Sequence, residues 1–136
     1  MSMAIRFLVT VFVLITHSDS LLLVKQSDAS NTWGLAGGFL DYETSSIDEA
    51  AIDYVKDQTG IDVELSRIVG IYRTEDEEIA IVFHAEIKNG DLVLDPEYKP
   101  YAGVFALNGL PELEESHIKY VEDYLRKSDR VLFGSR

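Results

Sequence analysis

The feature that most constrains this chain is the run from Trp33 to Asp62, WGLAGGFLDYETSSIDEAAIDYVKDQTGID. Its glycine-rich start permits backbone conformations closed to other residues. The acidic part that follows carries helix signals at both ends. Ser46, with Glu49 three residues later, forms a capping box. Ile47, Ala50, Ala51, Tyr54, Val55 and Gln58 fall on one side of a 3.6-residue wheel. Gly60 suits the C-terminal cap. Glu49, Asp53 and Asp57 form an i, i+4, i+8 stripe beside the apolar side. The stretch predicts a Gly-Gly loop leading into a capped, acidic helix.

The rest of the chain supplies strands for that helix to cover. Ile5 to Thr16 is rich in Val, Ile and Phe, too short to span a bilayer and interrupted by Arg6. No small-residue cleavage site follows it, so it reads as a buried strand rather than a signal peptide. Leu21 to Lys25, Val63 to Tyr72, Glu78 to Ile87 and Tyr101 to Leu107 read as further strands, and Leu92 to Leu94 as a short extended piece. Turns are expected at His17-Ser18-Asp19-Ser20, at Thr74 to Glu77 and at Asn89-Gly90, and a polar loop from Gln26 to Thr32. A second helix, roughly Ser116 to Lys127, has Ile118, Val121 and Leu125 at helical spacing. No linker or repeat divides the 136 residues, so residues 1–136 are expected to form one α/β domain.

Charge narrows the partners. Twelve basic residues against 24 acidic ones give a net charge of -12, which repels polyanions. Nucleic acid and an anionic membrane surface are therefore not expected as partners. An anionic small molecule would need a local cation. The chain has no Cys, which excludes disulfides and thiolate chemistry and is compatible with a reducing cytoplasm.

The central stretch resembles the Nudix box, G-x5-E-x7-R-E-U-x-E-E-x-G-U with U aliphatic. Gly37 and Glu43 satisfy the opening G-x5-E. Aligning back from Gly60 puts Val55 and Ile61 at aliphatic positions, Asp53 and Tyr54 at the R-E pair, and Asp57 and Gln58 at the E-E pair. The spacer from Glu43 to Asp53 is nine residues instead of seven. Starting at Gly38 and Thr44 would lose the glutamate. The flanks agree: Leu21 to Lys25, Trp33-Gly34-Leu35, Val82-Phe83, Asn89-Gly90 and Leu110 to Leu113 occur where family members have like features.

The resemblance implies a Nudix-type α/β/α sandwich with a mixed β-sheet, its degenerate box at about 37–61. It further implies a cytoplasmic hydrolase of a nucleoside diphosphate linked to another group, using Mg²⁺ or Mn²⁺. Asp57 would be the principal metal ligand, with Glu43 and Asp53 as auxiliary ligands or water-orienting groups. Glu97 is a further catalytic candidate, and Gly37 and Gly38 would shape the binding loop. Dimerisation is common in the family. Tyr54 and Gln58 stand where glutamates are usual, so charge at the three helix ligand positions falls from -3 to -1. Two alternatives therefore stand open: a cation held between Glu43, Asp53 and Asp57, or a solvated acidic face on a Nudix-fold module that binds a nucleotide or sugar phosphate without cleaving it. Among other residues, Trp33, Phe39, Tyr72, Tyr98 and Tyr101 could stack on a base, and Arg73 could meet a phosphate. His17, His84 and His117 lack ligand spacing.

Overall fold

The computed structural model describes residues 4–25, 31–41, 43, 46–88, 92–126 and 130–135. The turn expected at Asn89-Gly90, most of the loop from Gln26 to Thr32, Thr44 and the helix end at Lys127 lie outside the described residues.

In chain order the elements are β1 (Leu8–His17), β2 (Ser20–Lys25), β3 (Trp33–Gly34), β4 (Ala36–Phe39), α1 (Ile47–Thr59), β5 (Val63–Arg73), β6 (Glu78–Ile87), β7 (Ala102–Ala106), α2 (Glu115–Leu125) and β8 (Leu132–Ser135). They build one mixed sheet in the order β3-β2-β1-β6-β5-β8, with β4 paired to β1 and β7 to β2. β1 runs parallel to β6, and β5 runs parallel to β8. The remaining pairings are antiparallel.

Period-two alternation on the central strands sorts the core into two layers. Val11, Val13 and Ile15 of β1, with Leu22 and Val24 of β2, pack with Ala50, Ala51 and Val55 of α1. Leu14, Leu21 and Leu23 share the other layer with Val82, Tyr72 and the α2 residues Tyr120 and Val121. The helices thus cover opposite faces, which is the α/β/α sandwich expected.

Local chemistry explains α1. Ser46 takes extended backbone and its hydroxyl oxygen accepts from Glu49 N at 3.2 Å. At the other end Gly60 adopts φ 75°, the left-handed cap that ends the helix, and donates to Lys56 O at 2.8 Å. Ala50, Ala51 and Val55 are buried, whereas Ile47 is 40% exposed and Tyr54 and Gln58 are half-buried.

Several expectations are corrected. Gly37 and Gly38 lie in β4, in register with Phe12 and Val11 of β1, and not in a loop. Leu92 to Leu94 joins no strand. On α2 the apolar spacing finds the buried side only at Val121. Ile118 and Leu125 are each 41% exposed, and the face that packs inward is His117, Tyr120, Val121 and Asp123. Tyr72 is fully buried in the core, which removes it from the stacking candidates. The Arg73 guanidinium lies 4.9 Å over the Phe7 ring. The edge strand β8 was not foreseen.

Candidate functional site

One edge of β1 is shared by two strands. Ile15, Thr16 and His17 pair with β2, while Thr10 to Val13 pair with β4. Beyond Leu22, β2 leaves β1, and its Val24 and Lys25 pair instead with Gly34 and Trp33. Where β2 and β4 diverge, a cavity of about 460 Å³ opens, lined by Phe12, Val24, Lys25, Leu35, Gly37, Asp57, Gln58, Glu97, Tyr98 and Tyr101. Along α1 lies a cleft of about 300 Å³, lined by Asp41, Glu43, Glu49, Ala50, Asp53, Tyr54 and Asp57. Asp57 borders both. It is the shared wall between an aromatic cavity and an acidic cleft.

The acidic cleft brings together Glu43, Asp53 and Asp57, as the box alignment requires, and adds Glu49 and Asp41. Asp41 was missed. Its only sequence signal is its place two residues before Glu43, whose N–H donates to Asp41 Oδ1 at 3.0 Å. These five carboxylates are all exposed. Glu97 is not among them. It stands in the second cavity, where Asp57 is its carboxylate neighbour.

Tyr54 and Gln58 have work other than ligation. The Tyr54 hydroxyl donates to Phe39 O at 2.6 Å. Gln58 makes a two-point clamp on Gly37: its Nε2 donates to Gly37 O at 2.9 Å, and its Oε1 accepts from Gly37 N at 3.0 Å. Both side chains tie α1 to β4. A glutamate at 58 could accept from Gly37 N but would turn its other oxygen toward Gly37 O, so the amide is the side chain that satisfies both backbone groups.

The glycines permit this close seam. A Cβ on Gly37 would lie 2.0 Å from Val11 O and 2.7 Å from Phe12 Cδ1. On Gly38 it would lie 2.6 Å from Tyr54 Cζ. At Gly37 the obstacle is backbone of β1, whereas at Gly38 it is the end of the Tyr54 side chain.

Whether these residues suit a divalent cation turns on the donor set. Mg²⁺ and Mn²⁺ prefer oxygen donors, and the cleft offers only carboxylates with no cation among its lining residues. Among the described residues, no three His, Asp or Glu side chains converge closely enough to form a cage. That arrangement suits an ion that keeps several waters and takes further oxygens from a phosphate. Among the described residues, Lys25 is the one cation bordering the second cavity. Tyr98 and Tyr101 give that cavity its aromatic surface, whereas Trp33 is packed edge-on to Phe105, with ring centroids 4.9 Å apart.

Fold and clefts together define the class: an α/β/α domain whose helix presents a row of carboxylates beside a glycine strand and an aromatic cavity. The chain belongs to the NUDIX family, whose NUDIX domain it matches over residues 6–124, and with that it is a hydrolase of the phosphohydrolase class. An ADP-ribose pyrophosphatase of Methanocaldococcus jannaschii is 30% identical over 120 residues, covering 83% of this chain and 70% of that protein. A Bacillus subtilis protein with the provisional name 8-oxo-dGTP diphosphatase is 31% identical over 84 residues, 61% of this chain and 55% of its own length. The crystal structure of a NUDIX hydrolase from Nitrosomonas europaea superposes with a TM-score of 0.78 at 16% identity, over 96% of this chain and 79% of that one. Among the described residues no helix is long and apolar enough to cross a membrane.

Proposed function

We propose that this chain hydrolyses a nucleoside diphosphate linked to another group, with Mg²⁺ or Mn²⁺ held at the acidic cleft. The observation that carries the reading is the position of Asp57 on the wall between the two cavities. A nucleoside in the second cavity, against Tyr98 and Tyr101, would have its diphosphate beside Asp57 and within the field of Lys25. Asp57, Asp53 and Glu43 would hold the cation, with Glu49 and Asp41 adding negative potential. When bound, the cation supplies neutralisation of phosphate charge and activation of water.

The chain's own groups do the rest. Lys25 offsets charge on the diphosphate, and the Gln58–Gly37 clamp fixes the helix so that Asp57 faces the cavity. Water adds to one phosphorus while the bridging oxygen leaves with the other phosphate. The proton released by water needs a carboxylate acceptor, and Glu97 is the one that shares the second cavity with Asp57. The partner is a small-molecule nucleotide. A net charge of -12 supports the exclusion of nucleic acid and anionic membranes. A cytoplasmic location and a homodimer belong to the same proposal, the latter checked by sedimentation.

One observation favours a binding module instead: Tyr54 and Gln58 are committed to β4 backbone groups. The test is turnover of ADP-ribose, 8-oxo-dGTP and nucleoside diphosphate sugars with Mg²⁺ and Mn²⁺, chosen because the relatives are named for the first two. Asp57→Asn is expected to lower kcat about 100-fold or more, and to weaken Mn²⁺ binding measured by electron paramagnetic resonance. Nucleotide binding without turnover under every condition would establish the binding module. Turnover indifferent to Asp57→Asn would remove the site assignment.

A further inference from the structure

We infer that His117, on the opposite face of the sheet from the acidic helix, is a positioning residue that sets two walls of the nucleotide cavity; this rests on the reading that the second cavity takes the nucleoside. Leu35 is the single residue at which the chain passes from β3, paired with β2, to β4, paired with β1. It lies outside both strands and is only 2% exposed. A buried N–H needs an acceptor, and the Leu35 amide donates to His117 Nδ1 at 2.9 Å. His117 is itself 4% exposed.

The same imidazole meets a second wall residue. Its ring is edge-on to Phe12, with centroids 4.6 Å apart. Phe12 and Leu35 both line the second cavity. Phe12 also packs beside β4, where its Cδ1 lies 2.7 Å from the position a Gly37 Cβ would take. The start of α2 is also fixed to β3: Glu114 N donates to Trp33 O at 2.7 Å, and Trp33 N donates to Glu112 O at 2.9 Å. His117 is therefore held at a set distance from Leu35 by the backbone on both sides. Accepting at Nδ1 requires a neutral ring with its proton on Nε2.

The geometry separates the acceptor from the bulk of the ring. In Asn, Oδ1 stands in the covalent position of Nδ1, so His117→Asn keeps an acceptor for Leu35. His117→Phe keeps a ring against Phe12 and leaves the Leu35 amide unpaired. The affinity of AMP and of ADP-ribose is measured by calorimetry in EDTA, where turnover does not interfere, and KM and kcat are measured separately with metal. His117→Phe is expected to raise Kd and KM about ten-fold, in the lower part of the range for residues that orient a site indirectly, with kcat within two-fold. His117→Asn, which gives up the ring against Phe12 and keeps the acceptor for Leu35, is expected to raise Kd and KM by a smaller factor, about three-fold. Equal loss in the two variants, or wild-type affinity in His117→Phe, overturns the inference.

A readout in the wild type guards against a variant that does not fold. Adding AMP is expected to shift the His117 Nδ1 and Leu35 amide resonances in nitrogen-15 spectra, and no shift at either overturns the inference. Failure of the wild type to bind any of these nucleotides removes the nucleotide reading of the cavity and the role of His117 with it. Wild-type binding that the variants match removes the role of His117 alone.

Discussion

The two faces of the sheet are held by different chemistry. On the α1 face the buried side chains are apolar except Thr59, whose hydroxyl donates to Val55 O in its own helix at 2.7 Å. Polar groups there stand at the rim, where they line the two cavities or tie α1 to β4. On the α2 face polar groups go inside. Tyr72 donates to Asp123 Oδ2 at 2.7 Å, His117 accepts from Leu35, and His84 lies between Thr16 and Tyr124. Apolar contacts are tolerant of sliding, and directed buried bonds are not. The difference shows how one domain separates a face open to ligands from a face that fixes the position of its helix.

The comparison is broken most severely at the seam beside the site. Gly37→Ala forces a Cβ to 2.0 Å from Val11 O, a backbone atom of the central strand that cannot retreat without β1. We expect a loss of about 3 kcal/mol or more in urea unfolding, and for many preparations no folded protein. Gly38→Ala meets the end of the Tyr54 ring. That ring can swing away at the cost of its bond to Phe39 O, so the loss is expected to be smaller, about 1–2 kcal/mol. Equal losses at the two glycines would show that the seam is set by strand pairing alone.

The next break falls on the α2 face. Asp123 is 3% exposed, and besides the Tyr72 bond its Oδ1 lies 3.1 Å from Lys119 Nζ and 3.7 Å from Arg126. The Oδ1 contacts are ionic attractions rather than directed bonds, as Oδ1 makes no hydrogen bond of good geometry. Burial first, and then the Asp123 hydrogen bond and its charge, push the Tyr72 phenol well above its ordinary range, so it remains a donor at any working pH. Asp123→Ala strands that hydroxyl and is expected to cost about 2 kcal/mol, since Lys119 and Arg126 can turn to water. Metal affinity and kcat per folded molecule are expected to stay unchanged. A fall in either would mean that α2 acts on the acidic cleft as well as on the cavity wall.

These residues also show what was legible from sequence. The helix α1 was readable because its signals are local: a Ser46–Glu49 cap, a Gly60 stop and a 3.6-residue pattern lie within one short segment. The box spacing placed Glu43, Asp53 and Asp57 on a common cleft for the same reason. The α2 face was not readable, since its determinants are pairs far apart in the chain. Nothing near Asp123 announces Tyr72, and nothing near His117 announces Leu35. Apolar spacing alone therefore selected Val121, which is buried, together with Ile118 and Leu125, which face solvent, while the inward face also contains an aspartate and a histidine. The glycines were half legible. Their need for space was evident, but the space is used by the paired strand β1 and the Tyr54 side chain of α1, not by a loop. The neutral residues Tyr54 and Gln58 looked like lost ligands because their backbone partners, Phe39 and Gly37, are not visible in a one-dimensional pattern.

The smallest expected effect concerns pH and returns to the α2 face. His84 Nε2 lies 2.8 Å from Thr16 Oγ1 and 3.5 Å from the Tyr124 hydroxyl, and the residue is 8% exposed. Burial is the main reason its pKa falls below the ordinary 6.5; Glu86 pulls it back up and Arg67 lowers it further. In the unfolded chain His84 takes up a proton near its ordinary value, whereas the folded protein resists until the pH is lower. Between those two values the unfolded state binds more protons, so stability is complete above about pH 6.5 and declines as pH falls toward the folded pKa. His84→Gln keeps a polar partner for Thr16 but cannot titrate. Urea midpoints measured from pH 7.5 to pH 5 are expected to fall less steeply for this variant than for the wild type. Identical slopes for wild type and His84→Gln would show that the buried imidazole does not govern the acid sensitivity.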